Sequence, residues 1–121
     1  MKSELIRFGF GYDGKKCYVH SRLCPLPGNK VILTTQYLNV AGDDAFDGLL
    51  LSKSYDGGRT FTKPEAEPYL AACTQGDKLL SYCDAGHLYH KKTGKALLIG
   101  ATVAYEKDNP LHPYPNFPFE T

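Results

Sequence analysis

The sequence predicts an all-β chain folded as antiparallel meanders, and three observations carry that expectation. Apolar and polar residues alternate with a period of two, or run continuously, over short stretches, without the 3.6-residue period of an amphipathic helix. Turn signals separate these stretches: Gly11-Tyr12-Asp13-Gly14, Leu26-Pro27-Gly28-Asn29, Asp56-Gly57-Gly58 and Lys91-Lys92-Thr93-Gly94. The stretches themselves are rich in Val, Ile, Thr, Tyr and Phe, which suit a pleated surface. A length of 121 residues fits one domain, and 42% hydrophobic residues is enough for a core.

Taken in order, residues 4–10 read as a first strand ended by the turn at Gly11–Gly14. Residues 17–25 read as the next, with Tyr18, His20 and Arg22 on one face and Val19, Ser21 and Leu23 on the other. Lys30 to Leu38 is a strong strand carrying Val31, Ile32, Leu33, two threonines and Tyr37. An aspartate-rich loop, residues 39–47, leads to a strand from Gly48 to Ser54. A turn follows, then a short strand at Phe61-Thr62-Lys63, ended by Pro64 and the acidic pair Glu65 and Glu67. Farther on, Ser81 to His90 and Lys95 to Tyr105 read as a hairpin, and Gly94 to Ile99 echoes Gly28 to Leu33. The tail from residue 107 holds Pro110, Pro113, Pro115 and Pro118 and reads as irregular, because proline cannot donate to a ladder.

The turn Ser54-Tyr55-Asp56-Gly57-Gly58-Arg59-Thr60-Phe61 has a physical logic of its own. The Ser54 hydroxyl and the Asp56 carboxylate can accept bonds from nearby backbone N–H groups. Gly57 and Gly58 can take positive φ, and Phe61 is spaced to fold back as an apolar plug. The pattern Ser-x-Asp-x-Gly-x-x-aromatic, filled by Ser54, Asp56, Gly58 and Phe61, resembles the Asp-box (BNR repeat) of sialidase-like β-propellers. In that family the box shapes the fold and lies away from the active face.

The resemblance implies about one and a half four-stranded antiparallel blades of a sialidase-like β-propeller. Blade one spans about 15–65 with its box at 54–61, an incomplete blade two spans about 80–106, and 107–121 is a Pro-rich tail. A propeller typically has about four to eight blades. The chain is therefore expected to be an N-terminal fragment whose open edges are covered by missing C-terminal blades or by self-association.

The same resemblance points to candidate site residues. In sialidase-like propellers the loop between the second and third strands of blade one carries an aspartate that acts as general acid/base. Of Asp43, Asp44 and Asp47, Asp44 matches best, five residues before Leu49. Such a carboxyl must donate a proton to a leaving oxygen and later activate water. His20 and Arg22 are expected to bind substrate, with the arginine as the bidentate group. The Arg-Ile-Pro motif of typical sialidases is absent: its arginine would fall at Val19, and His20-Ser21-Arg22 stands there instead, as in sialidase-like proteins with a His-x-Arg tract. Asp84 is the further binding candidate. His87 lies three positions along the same strand, so at most one of the two is expected to point into the site.

The resulting expectation is a carbohydrate substrate and glycoside hydrolysis in a complete propeller, where later blades supply a tyrosine–glutamate nucleophile and a set of arginines. The isolated chain is expected to be inactive. The alternatives are a non-catalytic glycan-binding or scaffold propeller, and a polysaccharide lyase using His20 or a tyrosine as base.

Net charge is +1 and no basic run stands out, so no nucleic acid or anionic membrane is expected as partner. Cys17, Cys24, Cys73 and Cys83 form no C-x-x-C pair and read as free thiols, so no metal and no cofactor is expected. Met1 to Arg7 lacks the apolar stretch of a signal peptide, which reads as cytoplasmic. A truncated N-terminus would leave secretion or the periplasm open.

Overall fold

The computed structural model describes residues 2–7, 11–42 and 45–113. It is all-β, with two four-stranded antiparallel sheets and no α-helix among the described residues. The first sheet has the order β1 (Lys16–Leu26), β2 (Lys30–Asn39), β3 (Phe46–Ser54), β4 (Glu65–Ala66). The second has the order β5 (Cys73–Gln75), β6 (Lys78–His90), β7 (Lys95–Glu106), β8 (Asn109–Pro113).

Strand β2 is the centre of the first sheet, and its composition explains why. Val31 and Leu33 are buried on one face and Thr34 and Gln36 on the other, so the run Val-Ile-Leu-Thr-Thr need not alternate apolar with polar. Of the Gln36 side chain the amide nitrogen is paired and the buried Oε1 is not. Gln36 Nε2 donates to the Asp47 carbonyl at 2.8 Å and also to the Tyr82 carbonyl, tying β2 to β3 and to β6 of the other sheet. Tyr105, 1% exposed, accepts a bond from the Phe46 N–H at 2.9 Å and closes the same seam.

Between the sheets the chain crosses through a short 3-10 turn at Pro68–Leu70. It passes so close to β3 that a Cβ on Gly48 would lie 2.7 Å from Ala71 Cα.

Several strand limits differ from the sequence reading. Residues 2–7 form no strand, and 8–10 lie outside the described residues. The fourth strand is Glu65–Ala66, beyond Pro64, although Thr62 N–H already donates to the Lys53 carbonyl at 2.8 Å. The second sheet has four strands, because Cys73–Gln75 and Asn109–Pro113 extend it at both edges. The tail read as irregular thus begins as an edge strand, which proline tolerates because one side of an edge needs no donor.

The Ser54–Phe61 turn is wired as its residue types predict. Gly58 N–H donates to Ser54 Oγ at 2.9 Å, and Arg59 and Thr60 N–H donate to Asp56 Oδ1 at 3.0 and 2.9 Å. Ser54 Oγ donates to Asp56 Oδ1 at 2.8 Å, and Thr60 Oγ1 to Asp56 Oδ2 at 2.6 Å. Gly57 and Gly58 have φ of 75° and 92°. Gly57 N–H reaches the Asn29 carbonyl at 2.8 Å, so this turn and the β1–β2 turn share one end of the sheet. The β2–β3 connection leaves from the other end, where Val40 N–H donates to the Lys15 carbonyl.

Candidate functional site

Two β-bulges face each other across the seam between the sheets. In β1, His20 and Ser21 stand opposite the single residue Thr35. In β6, Asp84 and Ala85 stand opposite the single residue Gly100. The first residue of each bulge is left-handed, with φ of 53° at His20 and 50° at Asp84. Glycine is the usual occupant of such a position. A residue with a Cβ there costs about 1–2 kcal/mol, which the surroundings must offset.

Each bulge has its own support. The Thr35 hydroxyl donates to the Val19 carbonyl at 3.2 Å and lies 3.1 Å from Ser21 Oγ, which holds the β1 bulge. The β6 bulge depends on Gly100: a Cβ there would lie 2.7 Å from the Cys83 carbonyl oxygen and 3.1 Å from Ala85 Cα.

The bulges bring His20 Nδ1 to 3.3 Å from Asp84 Oδ1. The contact lacks aligned hydrogen-bond geometry and becomes an ion pair when the imidazole is protonated. The Asp84 side chain is 56% exposed and reachable from solvent, whereas His20 is 30% exposed and its Nδ1, which faces Asp84, is buried. Phe46 fixes the imidazole from the side, with ring centroids 5.1 Å apart.

A second polar contact lies along the same seam. His87 Nε2 and Thr34 Oγ1 are 3.1 Å apart. Burial first, and the nearby Arg22 charge second, hold His87 below the ordinary imidazole pKa. Arg22 itself is exposed, and its guanidinium donates to the Ser21 carbonyl at 3.2 Å.

The candidates from sequence are therefore distributed as follows. His20 and Asp84 meet directly, and Arg22 lies along the same seam, close enough to His87 for its charge to be felt there. Asp84 and His87 both reach the first sheet, whereas strict alternation separates them; the bulge between Cys83 and Gly86 resets the alternation. Asp43 and Asp44 lie outside the described residues. Asp47 is bound to Lys16 Nζ and is not a free carboxylate. Ser54, Asp56, Gly58 and Phe61 lie in the turn between β3 and β4, at the end of the sheet that holds the β1–β2 turn.

Sequence reasoning missed Phe46, Thr34 and Thr35. The signal for the β6 bulge is Gly100, a glycine inside an otherwise apolar strand pattern.

Chemically, the seam presents an imidazole beside a carboxylate, with an exposed guanidinium nearby. Such a set can bind hydroxyl and carboxyl groups, and the His20–Asp84 pair can exchange a proton with a ligand. Among the described residues no group of His, Cys, Asp and Glu is arranged to hold a metal ion, and all four cysteines are unbridged. No described helix is long and apolar enough to cross a membrane. An apolar groove of about 440 Å³ lies away from this pair, on the other face of the first sheet, between Ile6, Leu23, Leu33 and Phe61. No family model, no curated protein and no solved structure matches the chain.

Proposed function

We propose that these residues form the first part of a sialidase-like β-propeller and carry part of a carbohydrate site at the His20–Asp84 seam. One observation supports this most. Two left-handed, non-glycine bulge residues, one from each sheet, bring an imidazole and a carboxylate together at a solvent-reachable position. Backbone strain at two facing positions, occupied by proton-transfer side chains, is the pattern of a ligand site rather than of a packing contact.

In this reading His20, Arg22 and Asp84 hold substrate hydroxyl and carboxyl groups. Asp44, two residues before the Phe46 ring that packs on His20, acts as general acid/base in glycoside hydrolysis. The nucleophile comes from further blades, so the 121-residue chain binds sugar without turning it over.

Saturation-transfer NMR against a neutral hexose, a uronic acid and sialic acid tests the reading. Binding by at least one sugar, lost in Arg22→Ala and in Asp84→Ala, is expected. Binding that survives both substitutions would contradict the site. Rapid release of aryl alcohol from aryl glycosides by this chain alone would contradict the division of labour between blades.

The His20–Asp84 pair also favours a second reading, a polysaccharide lyase. His20 would take the C5 proton of a uronate as the C4 oxygen leaves, forming a C4–C5 double bond. An unsaturated product absorbing in the near ultraviolet distinguishes lyase from hydrolase. Sugar binding with neither product by a protein that carries the further blades identifies a non-catalytic glycan-binding propeller.

A further inference from the structure

The two ring nitrogens of His87 meet different surroundings. Nε2 lies 3.1 Å from Thr34 Oγ1 across the seam, whereas Nδ1 is buried and has no hydrogen-bond partner. The neutral ring fits this seat, since one of its nitrogens carries no proton. A protonated ring carries an N–H at both positions. Its Nδ1–H and its charge would then be buried with nothing to accept them, which is costly.

The charges around the seat oppose protonation as well. Arg22 on β1 pairs with Thr34 on β2, so the two share the face on which the imidazole rests. The same row runs on to Leu51 of β3 and Glu65 of β4. Glu65 lies two strands from Thr34, about 10 Å by strand spacing, too far to neutralise the ring. Lys53, two positions after Leu51, adds a second cation to that face. Asp47 is engaged by Lys16. On β6 itself Asp84 faces His20, and Lys78 and His90 lie at the strand ends; β7 sets Leu98 beside the ring. Among the described residues no carboxylate pairs with His87 or Arg22. Burial and the Arg22 charge together hold His87 below the ordinary imidazole value.

At the neighbouring bulge the signs are reversed. Acid charges His20 against the Asp84 carboxylate, which strengthens that contact.

We propose that the seam is an acid-sensitive hinge: protonation releases the His87 ring from Thr34, while His20 and Asp84 stay together as the pivot. The ring has room to leave. It is half-buried, and it follows Gly86, which is exposed and where a Cβ would meet nothing nearer than 3.9 Å. Once released, the ring is solvated and titrates near the ordinary value. The released form therefore binds the proton more tightly than the seated one. It gains as pH falls below about 6.5, by up to about tenfold per pH unit, until the seated ring also protonates. The hinge does not depend on which ligand the His20–Asp84 pair binds.

NMR from pH 8 to pH 5 tests the hinge by following the His87 ring and its cross-seam NOE to the Thr34 methyl group. The NOE is expected at pH 8 and is expected to fall by about threefold or more at pH 5, in step with the ring titration. NOEs from the His20 ring to the Asp84 β-protons are expected to persist. His87→Gln keeps a side-chain amide for Thr34 and carries no titrating group, so its NOE to Thr34 is expected to stay constant over the same range. A wild-type ring that titrates with its Thr34 NOE at full strength would overturn the hinge. So would an NOE already absent at pH 8, or one lost on acidification in His87→Gln. Circular dichroism checks the fold of the variant. If His87→Gln loses its strand signal, Thr34→Val replaces it: with the seat removed, His87 is expected to titrate closer to the ordinary value, and an unmoved titration would overturn the hinge.

Discussion

His20 and Asp84 sit in the left-handed region at no evident benefit to the fold. Glycine fits φ near 50° without strain, and an ion pair this exposed is worth only about 0–1 kcal/mol. Asp84→Gly is therefore expected to leave stability within about 1 kcal/mol of wild type while abolishing sugar binding. Asp84→Val, β-branched at positive φ, is expected to destabilise by more than the glycine variant. Urea unfolding of the two variants checks the order. A large loss in Asp84→Gly would mean that the pair serves the fold. The three polar residues His20, Arg22 and Asp84 could be picked out from the sequence because they are chemically able side chains in strand-like stretches. Their meeting could not be foreseen. It depends on two bulges with non-glycine residues in the left-handed region, and a rule of strict alternation passes over both.

At the scale of elements, the Ser54–Phe61 turn was the most legible part of the chain. Every main residue has a local partner that its spacing dictates, so no distant contact had to be guessed. Ser54 is 1% exposed and links Asp56 to Gly58. Ser54→Ala is expected to cost about 0.5–1.5 kcal/mol, since it removes the acceptor of the half-buried Gly58 N–H. The Thr60 hydroxyl first, and then the Thr60 and Ser54 bonds, hold the Asp56 carboxyl well below the usual carboxylate range. A depressed folded-state pKa contributes stability above the unfolded value near 3.9, lost as pH falls through the folded pKa. The Tm of Asp56→Asn is therefore expected to depend less on pH below about pH 4 than that of wild type. His87 acts in the same direction at higher pH: being held below about 6.5, it withdraws stability as the medium acidifies past that value.

Two other elements show the opposite balance. Tyr18 and Tyr37 stack at 4.7 Å with their hydroxyls 3.1 Å apart. That shared bond first, and burial second, push Tyr18 up to about 12. A raised phenol pKa contributes stability that is intact below about pH 10 and lost as pH rises through the folded value. Tyr18→Phe is expected to remove the latest step of the ultraviolet tyrosinate titration. Gly100→Ala is expected to cost about 1–3 kcal/mol by overpacking, because the atoms its Cβ meets are backbone and cannot turn away. The β6 bulge was hidden in the sequence, but this glycine marked its place.

The described residues form a pair of antiparallel sheets joined through Gln36, Thr34, Tyr105 and the His20–Asp84 pair. Antiparallel strands, their order in the first sheet and the echo between the two hairpins were all legible, because turn residues and apolar runs are local signals. The edges were not. Strands β5 and β8 are held mainly by their neighbours, and the prolines near β8 argued against it locally. The packing of one sheet on the other required the register across both bulges.

The central claim is that the seam between the sheets, where His20 meets Asp84, is the place at which this protein binds sugar. An NMR titration with assigned backbone amides and histidine ring resonances tests it most directly, using the same hexose, uronic acid and sialic acid. Saturable shifts centred on His20, Arg22, Asp84 and His87 are the expected result. Shifts confined to the groove between Ile6 and Phe61, or none with any of the three sugars, would contradict it.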